Sequence, residues 1–474
     1  MNHRCYPFFC LFYGQILAWN QWAIPQEPIP EVLQVQPDSI VTDGPDELVA
    51  RSAPADEEYY ELLKLFADTV DQVERNYVSP ISRREIMEAA IQGVLSKLDP
   101  YSEYISPDEM DDFKTGVNSE FGGIGIRFAE VDQRLTVITP LLGAPAYRAG
   151  VLAEDWIMEI NGQSTLEISQ AEAAGLLKGK VGEPIELTVR HQHDGAVEKI
   201  KMVRETVKVE TVVGIRRQPD GQWDFWANPE KKWGYIRISV FSHQTAASLR
   251  QHLQTLVDEG ARGLILDLRF NPGGLLSAAI DISDMFLSSG TIVSTQGRNV
   301  ESRVWTARPE TQFPQLPVVV LINHYSASAS EIVAAALQDH DRAVVVGERS
   351  WGKGSVQNVV ELEGGRSALK LTTAGYVRPS GKTIHREIGA SENDQWGVSP
   401  SDGFLVETTP NEVAQLLRAY DDRDVLQANP QEANKHDKTK EEIVDRQLQT
   451  ALQYLADALV TSQPISSNPQ GKDE

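Results

Sequence analysis

Past residue 10 the chain contains no cysteine: its only two, Cys5 and Cys10, stand near the start of 474 residues. A body without thiols builds no disulfide framework, no thiolate metal site and no cysteine nucleophile. Basic residues are also short, 44 Lys and Arg against 68 Asp and Glu, for a net charge of −24. That excess repels phosphate backbones and anionic membrane surfaces, so no nucleic-acid partner is expected. No apolar run beyond the N-terminus is long enough to span a bilayer. No group of His, Asp and Glu has convincing metal-ligand spacing. His191 and His193 alternate on a strand and are expected to face solvent, and neither a metal nor another cofactor is called for.

What is present falls into blocks. Residues 1–24 carry His3 and Arg4, a largely apolar run from Cys5 to Ala18, and the small residue Ala23 before Pro25, Pro28 and Pro30. This is the outline of a secretory signal or anchor and predicts an extracytoplasmic protein, periplasmic or envelope-associated. Residues 25–56 are rich in Pro, Asp and Glu and read as a linker. From Glu57 apolar residues recur at helical spacing (Tyr60, Leu63, Phe66, Val70, Val73), which defines a helical region over 57–116. Short alternating strands with one helix near 168–178 mark a small, mostly β module over 117–205. Residues 206–405 then alternate strands and helices, the pattern of a layered α/β domain. The tail, 406–474, is polar apart from one amphipathic helix around Glu442–Leu459.

Four segments could carry chemistry. Asn323-His324-Tyr325-Ser326-Ala327-Ser328-Ala329-Ser330-Glu331 follows an apolar strand and opens a helix, where a serine meets free backbone N–H groups. Alone it reads better as a plain capping box, Ser328 with Glu331. Gly347 to Ser355 nearly spells a phosphate-binding loop, but Gly354 stands where a hydroxyl must hold magnesium, and a strand follows where a helix should. What remains is Lys353 between two glycines, a base if its setting is dry, with Gln357 four residues on. Asp267-Leu268-Arg269-Phe270-Asn271-Pro272-Gly273-Gly274-Leu275 holds a tight turn that can aim N–H groups into a cavity or simply join strand to helix. In the small module, Phe121-Gly122-Gly123-Ile124-Gly125-Ile126 can turn amides inward to bind a carboxylate beside apolar side chains, which puts a peptide C-terminus at Gly123, Ile124, Gly125 and Ile126.

Taken in order, these segments resemble the carboxyl-terminal processing, or tail-specific, proteases over roughly residues 57–405. Leu98-Asp99-Pro100-Tyr101-Ser102 and Gly234-Tyr235-Ile236-Arg237-Ile238-Ser239 match the same family, and Asp445–Leu455 is similar to its C-terminal helix. The small module resembles the family's PDZ domain. The resemblance implies a crotonase-like α/β core with the PDZ domain inserted as a movable gate. It places Ser328 on the nucleophile, Lys353 on the general base, Gln357 on the residue that orients the lysine, and the amides of Gly274 and Ala329 on the oxyanion hole. Two departures stand out: Phe270, where relatives carry a small or polar residue, and a longer, more polar stretch over Arg386–Val398. The implied activity is a serine endopeptidase acting through an acyl-enzyme on proteins or peptides with unstructured C-termini, with room for an adaptor or a homo-oligomer. The competing reading is a catalytically silent PDZ adaptor, against which the trio Ser328, Lys353 and Gln357 argues.

Overall fold

A computed structural model of the chain describes residues 56–110, 113, 120–218, 220–387, 389–391, 393–425 and 444–461. The signal segment and nearly all of the linker read from the sequence lie outside these residues. The chain divides into two compact units, one within Thr115–Ser355 and Ala374–Glu474, the other within Glu31–Lys114 and Val356–Thr373.

At the centre of the first unit, the strands Trp233–Ile238, Gly263–Asp267, Val318–Ile322 and Ala343–Gly347 lie side by side and parallel. Their Val, Ile and Leu runs are buried almost without interruption, as a sheet covered on both faces requires. Ile265, Val319, Leu321 and Val346 pack against Leu448, Ala451 and Leu455 of the helix Arg446–Thr461. Leu264, Leu266, Val320 and Val345, one residue out of step, are just as buried, so the opposite face is covered too. Helices Thr245–Asp258, Leu276–Asp284 and Ala329–Asp339 supply the βα alternation. Val212–Val213 and Trp226–Asn228 add antiparallel pairs to the Trp233 strand, giving structure to a segment without clear periodicity.

Register matters most for function. Asp267 pairs with Leu321 and Ile322 with Gly347, so three adjacent parallel strands end level. The segments leaving that edge are those carrying Gly273–Gly274, Ser328 and Lys353. In α/β sheets this carboxyl edge is where ligands bind.

The small module is an antiparallel sheet of Ile126–Val131, Arg134–Pro140, Trp156–Ile160, Pro184–Arg190 and Val197–Val203, with the helix Gln170–Leu177. Glu120–Gly123 pairs with Glu205–Lys208, so the module closes at 208 rather than at the expected 205. Val207 is the reason: it is buried and packs on the glycine loop. The tail also corrects expectation, holding two helices among the described residues, Pro410–Asp424 and Arg446–Thr461, where one was read. Thr409 caps the first of them in a box with Glu412, and Leu416, Ala419 and Tyr420 face inward. That thin apolar stripe is hidden among Arg418, Asp421, Asp422, Arg423 and Asp424.

The second unit contains the helices Asp56–Asn76 and Arg83–Leu95, the latter opened by a Ser82–Glu85 capping box. Glu103–Ile105 pairs antiparallel with residues 368–370 of the strand Ser367–Val377, which also pairs with Ser355–Leu362. Ile105, Met110 and Ala368 form its small core.

Candidate active site

Ser328 caps the helix Ala329–Asp339 with φ 54° and ψ −114°. A side-chain-bearing residue in that region costs about 1–3 kcal/mol and persists only where its surroundings fix it. They do so here. The Ser328 N–H donates to Glu331 at 2.8 Å, the Ala327 N–H to the Asn271 carbonyl at 3.0 Å, and the Ser326 hydroxyl to the Leu268 carbonyl at 2.9 Å. The Ser328 turn is thereby stitched to the turn that follows Asp267.

Glu331 reaches further than a capping box. It is fully buried, and Oε2 accepts both the Ser328 N–H at 2.8 Å and the Lys353 N–H at 2.9 Å. Its Oε1 accepts the Ser350 hydroxyl at 2.5 Å and the Gly352 N–H at 2.7 Å. Burial pushes the Glu331 carboxyl up to about 7, while the four donors favour its ionised form. One carboxylate thus holds the backbones of both Ser328 and Lys353.

The Lys353 loop is pinned on its other sides as well. Trp351 N–H donates to Ser326 O at 2.9 Å, Arg386 N–H to Gly352 O at 2.9 Å, and Tyr376 N–H to Gly354 O at 2.6 Å. Trp396 meets two guanidinium groups, Arg349 and Arg386, 4.5 and 4.3 Å from its ring centre. A Cβ on Gly352, whose φ is 88°, would press on Arg386 and Trp396. Arg386 and Trp396, from the long polar stretch, therefore brace the lysine loop. Lys353 is 2% exposed and Ser328 5%.

The third segment meets these two at Gly273. A Cβ there would stand 2.7 Å from Ser328 Cβ and 3.0 Å from the Ala329 nitrogen. The Gly273 N–H is already spent on Asn271 Oδ1 at 2.8 Å. Gly274, at φ 136°, lies so close to the Phe241 carbonyl that no side chain fits. Its neighbours complete a parallel bridge, Phe241 N–H to Gly273 O and Leu275 N–H to Phe241 O, both 2.8 Å. Among the described residues no acceptor takes the N–H of Gly274 or of Ala329. Behind the turn, Asp267 pairs with Arg269 at 2.7 Å and also receives the hydroxyls of Tyr235 and Tyr420. Arg269 continues to Asp445 at 2.9 Å, tying the C-terminal helix to the turn.

Gln357 belongs to the second unit. It is buried there, and its Nε2–H donates to Thr372 Oγ1 at 3.1 Å. Thr372 Oγ1 in turn donates to Asp99 Oδ1 at 3.1 Å, and Asp99 accepts the amides of Tyr101 and Ser102. The Asp99-Pro100-Tyr101-Ser102 phrase is thus a side-chain-capped turn.

In the small module, Gly125 has φ 72°, and a Cβ on it would lie 2.3 Å from the Ala144 Cβ. The Ile124 and Gly125 carbonyls accept the N–H groups of Ala146 and Leu141 at 2.9 and 2.8 Å. The amides of Ile124 and Gly125 have no acceptor among the described residues. Ile124 itself, 1% exposed, is part of the module core, so only Ile126 of the expected apolar pair is available beside the loop. Gly123 pairs with Glu205 in the closing strands.

Comparison with known proteins follows the same division. Residues 232–399 match the model of peptidase family S41, 137–191 that of a PDZ domain, and 37–109 that of the activating protease CtpB N-terminal domain. The chain is 38% identical over 330 residues to a carboxy-terminal-processing protease of Bartonella bacilliformis, covering 69% of this chain and 73% of the relative. The chain belongs to the carboxyl-terminal processing proteases. Other relatives are the carboxy-terminal processing protease CtpA of Bacillus subtilis, 33% identical over 67% of this chain and 65% of its own length, and a carboxyl-terminal-processing protease of Picosynechococcus, 36% identical over 68% and 74%. The solved structure of a photosystem II D1 C-terminal processing protease aligns with TM-score 0.42 at 26% identity, over 77% of this chain and 91% of that one.

Two residues of this processing protease carry more than the sequence suggested. Glu331 read as a helix cap, and only its four donors, two of them more than twenty residues away, reveal a hub. His191, expected in solvent, is buried, its Nδ1 3.0 Å from Asp155 and its Nε2 3.3 Å from Glu198. His193 is exposed as expected. Both histidines lie past the end of the strand Pro184–Arg190, in the turn that leads to Val197–Val203, rather than alternating on a strand, and a turn residue held between two carboxylates leaves no periodic mark.

Proposed function

We propose that this processing protease is a serine endopeptidase with a Ser328–Lys353 dyad, built on a crotonase-like layered core, whose PDZ domain selects substrates by a free C-terminus. The observation that carries the reading is the single buried carboxylate of Glu331 bonded to the backbone amides of both dyad residues. A general base works in its neutral form, and an amine removed from water pays for its charge. The Ser328 Oγ attacks the scissile carbonyl carbon while its proton passes to the Lys353 Nζ. The developing oxyanion is met by the open amides of Gly274 and Ala329, which are fixed before the reaction and need no reorganisation. The tetrahedral intermediate expels the amine, which takes the proton from Lys353, and leaves an ester on Ser328. Water then attacks the ester with Lys353 again as base.

Capture of the tail falls to the loop Gly123–Ile126, whose open amides, those of Ile124 and Gly125, bind a terminal carboxylate beside Ile126. The test compares one unfolded substrate with a free and an amidated C-terminus, cleaved by the intact protein and by Ser328→Ala. Rapid cleavage of the free tail alone, lost in Ser328→Ala, is the expected result. Binding of free tails without any cleavage would instead support the adaptor reading. Equal rates on both tails would remove carboxylate recognition.

A further inference from the structure

Phe270 is in the wrong conformation for its side chain. Its φ is 61°, a left-handed setting that Asn, Asp and Gly adopt readily and a bulky aromatic residue does not. The strain is held in place from both ends. Asn323 Oδ1 accepts the N–H of Phe270 at 3.0 Å and the N–H of Tyr325 at 3.1 Å. The two rings consequently stack, with centroids 5.5 Å apart and planes 23° from parallel. The edge of Phe270 meets Tyr420, at 5.8 Å and 87°. Tyr420 is buried, but Tyr325 is 43% exposed and Phe270 partly so. A strained residue held with one face toward solvent costs stability without filling a core, and such strain gathers at functional sites.

Its position gives the use. Phe270 lies three residues before Gly273, and Tyr325 three before Ser328, so the pair flanks both halves of the active site. The helix that carries Tyr420 also links the pair to the PDZ loop. Arg127, next in the chain after Ile126, pairs with Asp421 at 2.9 Å and Asp424 at 3.7 Å on the helix that also carries Tyr420. From the carboxylate loop to the nucleophile the order is therefore Arg127, Asp421, Tyr420, Phe270, Tyr325, Ser328.

We propose that Phe270 and Tyr325 form an apolar subsite for a substrate side chain on the C-terminal, leaving-group side of the scissile bond. The assignment rests on the proposed tail capture, because a polypeptide with its carboxylate at Gly123–Ile126 and its scissile bond at Ser328 presents only leaving-group residues to the surface between them. Two aromatic faces suit Phe, Leu or Met in that stretch and disfavour Asp, Glu or Ser. Contact with the leaving group acts on acylation, and so on kcat/KM, because it has departed before water attacks the ester.

The test is a set of unfolded peptides with one C-terminal tail, differing at a single leaving-group position as Phe, Leu, Ser or Asp. Wild-type protein should cleave the Phe and Leu peptides with kcat/KM about tenfold or more above the Ser peptide, the discrimination an apolar pocket supplies. Phe270→Asn and Tyr325→Ser should each bring that ratio close to one. Phe270→Asn also relieves the left-handed strain, so its thermal midpoint should hold or rise as selectivity falls, which separates a subsite from a packing residue. A wild-type ratio near one at every leaving-group position, or a ratio unchanged in both variants, overturns the proposal. Cleavage that survives Ser328→Ala with the aromatic preference intact would remove the nucleophile and leave the subsite standing.

Discussion

The turn at Ser328 and the loop at Gly125 both place a residue at positive φ beside open amides, and they meet that demand in opposite ways. At Gly125 the side chain is absent because Ala144 occupies its place, 2.3 Å from where a Cβ would be. At Ser328 the side chain is present and the strain is borne, held by Glu331 and the Asn271 carbonyl. The first loop presents backbone only; the second, in the proposed mechanism, must present an oxygen. A glycine there marks a steric requirement, and a strained serine marks a chemical one.

The largest way to break the comparison is at the serine. Ser328→Ala and Lys353→Ala should each lower turnover of an unfolded substrate by on the order of 10⁴-fold or more, and the double variant should be no worse, since the proposed dyad uses both residues in one proton transfer. Near-normal turnover by either single variant would show that the strain at 328 has no chemical purpose. Ser328→Gly should lose activity equally while gaining about 1 kcal/mol in urea unfolding, the relief of the left-handed setting less the flexibility that glycine adds.

Glu331 comes next. Glu331→Ala leaves four buried donors without an acceptor, at about 1–3 kcal/mol for each one that finds no other partner. Turnover should fall on the order of a hundredfold and the melting midpoint should drop. The wild-type pH profile sharpens this. A protonated carboxyl near 7 carries an O–H into a site lined with donors and must break one of its bonds, so the clamp is complete only above about 7. Cleavage should weaken as pH falls through that value, and Glu331→Gln, which cannot titrate, should lose that part of the profile. A profile of identical shape in Glu331→Gln would rule out the clamp as its origin.

At Gly125 the expected effect is on folding first. Gly125→Ala should cost about 2–4 kcal/mol, combining overpacking with a left-handed alanine. Adding Ala144→Gly removes the collision and should recover the overpacking share, leaving roughly 1 kcal/mol for the backbone. Unfolding curves of the single and double variants measure this directly. If the single variant is as stable as wild type, the loop is less crowded than its geometry requires, and the contrast with Ser328 dissolves.

The sequence carried the parts of this site that are contiguous. A strand followed by a serine-rich helix start, a lysine between glycines, and an Asn-Pro-Gly-Gly turn are local signals, and the sheet brings all three to one edge because each follows a parallel strand. What stayed hidden depends on distance. Glu331 bonds to Gly352 and Lys353 only after two strands have been laid side by side. The helix Pro410–Asp424 buries just Leu416, Ala419 and Tyr420 amid charge, so its period is faint. Phe270 could be seen as unusual, but its strain and its stacking on Tyr325 belong to the folded chain.

The smallest effect expected is at His191, and it tests whether the PDZ domain is tuned by charge as well as by packing. Burial by itself would lower the His191 pKa, but the hydrogen bonds and charges of Asp155 and Glu198 outweigh it and raise the pKa above the usual 6.5. The groups facing the ring are those two carboxylates and the imidazole of His193, whose centroid is 5.4 Å away. Only the charged ring donates to both acids; the neutral ring has a single N–H and leaves one carboxylate facing a lone pair. With the folded pKa raised, the stabilisation is fully present below about 6.5 and is lost as pH rises through the folded value. The melting midpoint of the intact protein should therefore fall slightly as pH is raised from about 6 toward 9, and His191→Gln should flatten that slope, since glutamine offers a donor but no titration. If the wild-type and His191→Gln slopes coincide, the buried histidine is packing alone, and the PDZ domain depends on steric fit throughout, as its glycine loop does.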